Sequence, residues 1–363
     1  MPGLAGAMTL AHHIMNTFPG ETIQSGAEDF ESAFTSLPLK PCEAQFNMCH
    51  AIDPDTGKLN FFQHLTGYFG GAPFGYAWAR AVRPLIWILC NFLAVMGIIH
   101  VDDIVWADTE TCSGTAALCI ETVAKLCGFP LKASKHRGPC MLLEALGGSL
   151  RMPTVQCRSL EVTLKPSKRE KYIKRFWASI REEKLSSPTA CKLAGVMQWA
   201  QCVLFGRVGR AFLWPIYQRA NYEHDQYKVG EVLDNALRGC LALLLHGQCR
   251  TILPDGWDSR PPLRIYVDAA GKPPCIAGVA FLDDSTEYFA TEDIGKLSHW
   301  LTDDEDIRIA ELEAIACLVA LQSWASVLSQ RRVWLYTDNE AAFWTLTKGL
   351  NRNHHLAAIA GRF

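Results

Sequence analysis

Two adjacent aspartates interrupt an otherwise apolar, strand-forming run at residues 98–106, IIHVDDIVW. Burying neighbouring carboxylates among Ile and Val is costly unless a cation compensates them. A tight hairpin that holds a divalent ion at Asp102 and Asp103 resolves the conflict, although the same pair also serves as plain turn residues between two strands. A third carboxylate, Asp29, heads the amphipathic stretch 28–34, EDFESAF, with the aromatic Phe34 five positions later. Between these segments residues 70–75, GGAPFG, form a flexible turn opening a helical segment, and its backbone can approach a ligand closely. A hard, octahedral Mg²⁺ takes a few carboxylates and leaves its other positions to water and phosphate oxygens. Asp29 and Asp102 are the candidate carboxylates.

The elements that must position these groups follow from the pattern around them. The most apolar run, Leu85 to Ile99, is interrupted by Asn91 and has 15 residues. That is short of the roughly 20 that a membrane-spanning helix needs, and it reads as a buried helix leading into a buried strand, so no membrane partner is expected. The whole chain has 363 residues, 49% apolar and 20% charged, with a formal charge of -2. This composition describes a soluble globular protein of two or three domains and excludes collagen-like, mucin-like and acidic-tail classes. Fourteen cysteines lack any C-x-x-C pair and the N-terminus lacks a signal-peptide pattern, which points to an intracellular, reducing setting, cytoplasmic or nuclear, with thiols mostly buried or inert.

Charge is local. Residues 151–210 hold 13 Lys/Arg against four Glu, interleaved with Tyr172, Phe176, Trp177, Trp199 and Phe205, which is either a footprint for a polyanion or a pair of solvated amphipathic helices. Residues 251–262, TILPDGWDSRPP, read as a linker. Beyond it the balance turns acidic, with strands at 263–268, 275–282 and 288–291, a helix at 307–328 whose start is crowded with acids, a strand at 332–337 and a short helix from Glu340. No phosphate loop and no G-x-S-x-G elbow is present, and His12-His13 and His354-His355 lack companions at zinc-ligand spacing.

In chain order these features resemble the palm of reverse transcriptases. Asp29 with Phe34 resembles the first palm motif, Ala72–Gly75 (APFG) the motif written LPxG, and HVDD the x-x-D-D hairpin; residues 128–135 (GFPLKASK) resemble the glycine-to-lysine motif and Leu146-Gly147 the primer grip. The resemblance implies that Asp29 and Asp102, with Asp103 beside them, hold two Mg²⁺ or Mn²⁺ ions. It implies that Phe34 is a steric gate beneath the incoming sugar, that Pro73, Phe74 and Gly75 border the nucleotide, and that Lys135 lies near the triphosphate. Residues 189–210 are similar, weakly, to the thumb and connection of DIRS-type retrotransposon polymerases. Lys165, Lys168, Arg169, Lys171, Lys174, Arg175, Arg207 and Arg210 would then track duplex phosphates. The last third resembles ribonuclease H, with Asp268 in YVDAAG, Glu311 in AELEAIA and Asp338 in YTDNEAA as its metal-binding acids; Glu313 is the competing helix residue, on a different face. Such a cage holds two metals roughly 3.5 to 4 Å apart for in-line displacement at phosphorus.

Three departures accompany the resemblance. Only 28 residues precede Asp29, none of them Lys or Arg, so the fingers and their phosphate-gripping cations look missing. His100 stands where most members carry an aromatic residue, and after Asp338 the only acid is Glu340, so a fourth carboxylate looks missing too. The expected fold is α+β: a right-hand polymerase palm with minimal fingers (1–150), a basic thumb or connection region (151–250), the linker (251–262) and a partial ribonuclease H-like α/β domain (263–363), clipped at both ends. The expected function is RNA-directed DNA synthesis by a retroelement enzyme with ribonuclease H activity. Its partners would be an RNA template, a DNA primer, deoxynucleoside triphosphates and an RNA–DNA hybrid. The alternative is a catalytically impaired nucleic-acid-binding remnant.

Overall fold

The computed structural model describes residues 3–68, 72–204, 208–221, 227–247, 249–293, 301–302, 305–349, 351 and 353–362. The fold mixes helix and sheet and divides into two compact units, one formed by residues 1–165 with 251–255 and the other by 166–250 with 256–363.

In the first unit, α1 (Leu4–Thr17) buries Leu4, Ala7, Met8, Ala11, Ile14 and Met15, the i, i+3, i+4 stripe of an amphipathic helix. β1 (Ile23–Asp29) follows and is buried on nearly every residue. After it come α2 (Pro41–Ala44), the hairpin β2 (Met48–Ile52) and β3 (Leu59–Gln63), and α3 (Ala72–Phe92). A second hairpin, β4 (Gly97–His100) and β5 (Asp103–Thr109), leads through α4 (Ser113–Leu126) to β6 (Arg137–Cys140). These strands build a sheet of order β4-β5-β1-β6, with β1 antiparallel to β5. The apolar run at 85–99 is thus divided as the sequence suggests, into the end of α3 and the start of β4, but it is not buried throughout: β4 is a half-buried edge strand, and Trp87 and Phe92 of α3 are exposed.

Asp29 differs from expectation in its surroundings. It closes a strand and is followed by turns over residues 31–36, so it does not head a helix. The strand IQSGAED escaped the sequence pattern because a central strand covered on both faces shows no alternation. Gly26 explains one choice within it: a Cβ there would lie 2.3 Å from the Trp106 ring of β5, so only glycine lets the two strands pack. Trp78, Leu85 and Leu89 of α3 join Ile104 and Trp106 of β5 and Ile120 and Ala124 of α4 in one core. Each fully buried aliphatic side chain there contributes about 1.5–3 kcal/mol.

β7 (Leu142–Ala145), β8 (Gly148–Arg151), β9 (Leu160–Leu164) and β10 (Arg250–Ile252) form a second sheet. Its first hairpin turns on Leu146 and Gly147, both at positive φ (50° and 84°), the backbone that a two-residue turn requires. The Pro-rich segment is anchored at both of its ends. Asp255 exchanges hydrogen bonds with Asn16 of α1 (2.8 and 2.9 Å), while Asp258, in the second unit, accepts from Arg332 N at 3.4 Å.

The second unit begins with four helices, α5 (Pro166–Arg181), α6 (Ser187–Leu204), α7 (Leu213–Asn221) and α8 (Glu231–His246). Three antiparallel strands follow, β11 (Leu263–Gly271), β12 (Pro274–Phe281) and β13 (Thr286–Thr291), then α9 (Glu305–Ser323), α10 (Ala325–Leu328), β14 (Val333–Tyr336), α11 (Glu340–Lys348) and α12 (His354–Arg362). The sheet order is β13-β12-β11-β14, and β14 joins β11 in parallel. The strand-helix-strand succession is the one expected; α12 is an addition. Ile265, Val267 and Ile276 pack beneath Leu312, Ile315 and Ala316 of α9. Asp303 and Asp304, placed by the sequence at the helix start, lie outside the described residues. Among the described residues no helix is long and apolar enough to cross a membrane. The cysteines are less buried than the sequence suggests: among the described residues only Cys240 and Cys317 are buried, and Cys42, Cys112 and Cys191 are exposed.

Candidate carboxylate sites

In the first unit the backbone brings Asp29 and Asp103 together directly. They are register partners across β1 and β5, and His100 pairs with Asp103 to close the β4–β5 hairpin around Val101 and Asp102. Val101 has φ +60°, an uncommon backbone for a β-branched residue. The turn is held in that shape from both peptides: Trp78 Nε1 donates to the Val101 carbonyl at 2.6 Å, and Phe30 N donates to that of Asp102 at 3.0 Å.

The cation opposite Asp29 is a side chain. Lys135 Nζ donates to Asp29 Oδ2 at 2.5 Å, and that carboxylate is almost entirely buried. Asp103 is pushed up to about 6, first by burial and then by repulsion from Asp102 and Asp29, against the pull of Lys135 and His100. Its hydrogen bond to Asp29 raises Lys135 above the usual lysine range. One residue before Asp29 on β1 and one after Lys135, buried Glu28 pairs with His136 Nδ1, whose distances to the two carboxylate oxygens are 2.8 and 2.9 Å. Burial raises the Glu28 carboxyl, with His136 opposing. Nothing in the sequence marks this second pair, since a lone His next to Lys135 carries no spacing signal.

Of the expected nucleotide-binding residues, Phe34 is 9% exposed and packed in the core, its ring 6.4 Å from that of Trp78. Phe74 is buried against Tyr68 (5.1 Å), whereas Pro73 is exposed and Gly75 half-buried. A Cβ on Gly75 would meet nothing within 4 Å, so packing alone does not demand glycine there. Gly70 and Gly71 lie outside the described residues.

The expected phosphate contacts separate into two kinds. Lys165 pairs with Glu144 at 2.7 Å, Lys168 sits 5.0 Å above the Trp199 ring, and Arg169 donates to the carbonyls of Leu244 and Leu245, satisfying the end of α8. Lys171, Lys174 and Arg175 are exposed along α5, with Lys174 bonded to Glu170, and Arg210 is exposed in a short 3-10 turn. Arg207 lies outside the described residues.

In the second unit the acids converge. Asp268 lies on β11 and Asp338 two residues beyond β14. The parallel register, Leu263 with Val333 through Tyr266 with Tyr336, extends to set Asp268 beside Asp338. The helix residue that joins them is Glu313. Carboxylate oxygens of Asp268, Glu313 and Asp338 all lie within 4.8 Å of one another, and this is the only such acid, His or Cys group among the described residues. Glu311, preferred from the sequence, is replaced in that role. It is fully buried two positions earlier, and its Oε2 accepts from Thr302 N at 2.7 Å. Two residues turn an α-helix by about 200°, so only one of the pair can face the strand ends.

Glu313 is held from both strands. Its Oε1 accepts from Ala269 N and its Oε2 from Thr337 Oγ1, each at 3.0 Å. Burial raises its carboxyl, and Asp338 and Asp268 add to the rise. No Lys or Arg ion pair to any of the three exists among the described residues. A like-charged, all-oxygen donor set of this kind fits Mg²⁺ or Mn²⁺. Asp29, Asp102 and Asp103 are not gathered within the same limit.

No protein-family model matches the chain, and a search of curated proteins finds no match. Among solved structures, similarity is found to the foamy viral protease-reverse transcriptase. The complex of its dRH form with double-stranded DNA is 14% identical at a TM-score of 0.47, covering 87% of this chain and 50% of that one. The complex with RNA/DNA hybrid is 13% identical at 0.48, covering 93% and 42%. A further complex with double-stranded DNA is 15% identical at 0.45, covering 89% and 61%. This chain therefore spans between 42% and 61% of the length of those chains.

Proposed function

We propose that this chain processes nucleic acid by phosphoryl chemistry, with its principal site at Asp268, Glu313 and Asp338 cutting the RNA strand of an RNA–DNA hybrid. The observation that carries this reading is the convergence of the three carboxylates within 4.8 Å, uncompensated by any basic side chain among the described residues. Divalent ions bound there supply water activation and stabilisation of the leaving oxygen. The protein's share is placement. The parallel pairing of β11 and β14 sets the two aspartates side by side, and Ala269 N and Thr337 Oγ1 orient the carboxylate of Glu313 between them.

The test is Mg²⁺- or Mn²⁺-dependent degradation of the RNA strand of a labelled hybrid. Cleavage that disappears in Asp268→Asn supports the reading; salt-sensitive binding without cleavage supports a nucleic-acid-binding remnant in its place.

A second activity, extension of a DNA primer on an RNA template with deoxynucleoside triphosphates, is favoured by the pairing of Asp29 with Asp103 beside the strained Val101-Asp102 turn. In this reading Asp29 and Asp102 hold the metals, with Asp103 beside them. Incorporation abolished by Asp102→Asn is the expected result.

A further inference from the structure

The first-unit site already holds a cation of its own. The segment that carries Lys135 runs alongside the end of β1 and is fastened to it by backbone: Glu31 N donates to Pro130 O at 2.8 Å, Lys132 N to Asp29 O at 2.7 Å, and Phe30 bridges Leu131. Adjacent residues then pair with adjacent residues, Lys135 with Asp29 and His136 with Glu28. The anchor is the backbone, while the Lys135 side chain is 54% exposed. A four-carbon stem with that freedom can leave its partner without moving the strand.

We propose that Lys135 is a displaceable latch: its ammonium occupies Asp29 in place of a divalent ion, and metal loads only when the side chain swings away. This rests on the polymerase reading of the Asp29–Asp102–Asp103 site. A divalent ion brings twice the charge of the ammonium to Asp29, whose register partner Asp103 carries a second carboxylate, so it wins at sufficient concentration. Its apparent affinity is reduced by the fraction of molecules in which the latch is open. The second-unit trio has no such latch among the described residues, so the two sites load at different metal concentrations.

The experiment titrates Mn²⁺ into the full chain carrying Asp268→Asn and Asp338→Asn, so that the second site is silent, and follows free Mn²⁺ by electron paramagnetic resonance. Lys135→Met and Lys135→Gln should each bind about tenfold more tightly than this parent. Lys135→Arg, which keeps the charge and offers a bidentate fork, should bind no more tightly than the parent. Adding Asp29→Asn should abolish the binding in every case. Equal or weaker binding by Lys135→Met and Lys135→Gln, with binding still dependent on Asp29, overturns the latch and leaves the metal site standing. No Asp29-dependent binding in the parent or in either neutral variant overturns the polymerase reading, and the latch with it. Circular dichroism of each variant confirms that the fold under test is intact.

Discussion

Both carboxylate sites use an aspartate on a central strand and a second aspartate on or just beyond its sheet neighbour, yet they differ in what opposes the charge. At Asp268, Glu313 and Asp338 the opposing groups are neutral donors, a backbone amide and a threonine hydroxyl, so the negative charge stays concentrated. At Asp29 the opposing group is the Lys135 ammonium, and His136 repeats the arrangement at Glu28. Neutral donors orient a carboxylate without consuming its charge, whereas an ammonium competes directly with any other cation. The first arrangement leaves its negative charge uncompensated among the described residues, and the second is self-neutralised.

The comparison breaks most sharply by ligand removal. Asp338→Asn should lower hybrid cleavage by on the order of 100-fold or more, since ligand loss exceeds the 10–100-fold typical of supporting groups. Cleavage that survives the change would remove the second site from the chemistry. Next comes Gly26→Ala, whose Cβ would meet the Trp106 ring at 2.3 Å. Overpacking of this kind costs about 1–3 kcal/mol. A denaturant melt should show that loss, and primer extension should fall with it while hybrid cleavage is spared.

Thr337→Val removes only the hydroxyl that orients Glu313. A drop of about tenfold in cleavage is expected, with the pH profile moving upward as the Glu313 carboxyl loses a donor that favours its charged form. An unchanged profile would mean that Thr337 packs but does not position.

A further effect is on stability against pH. Because Asp103 titrates near 6 when folded and near 3.8 otherwise, folding takes up a proton between those values. In metal-free buffer its contribution to stability is therefore present at low pH, declines as pH rises from about 4, and is lost above about 6. Asp103→Asn should flatten that part of the stability-against-pH curve measured by urea unfolding, and an unchanged slope would assign it to other groups.

Much of the second unit was legible because its strands alternate. LRIYVD places Leu263, Ile265 and Val267 inward and leaves Asp268 on the other face, and the observed burial follows that alternation. β1 was harder to read, since IQSGAED sits between two strands and is buried without alternation. The basic stretch was visible as charge, but its division into exposed residues such as Lys171 and engaged ones such as Arg169 depends on the carbonyls at the end of α8.

The identities and order of the acids, the hairpin at Val101-Asp102, the strand that carries Asp268 and the strand that ends near Asp338 were determined by the amino-acid sequence, because local periodicity and turn chemistry act within a few residues. The choice of Glu313 over Glu311 belonged to the tertiary structure. Residues 310–318 of α9 are buried all round, so no polar stripe marks the rotation of the helix about its axis, and packing against β11 and β12 decides it. The partner of Asp29 was likewise decided in three dimensions, since Lys135 reaches it only because the chain folds back alongside β1 more than a hundred residues later.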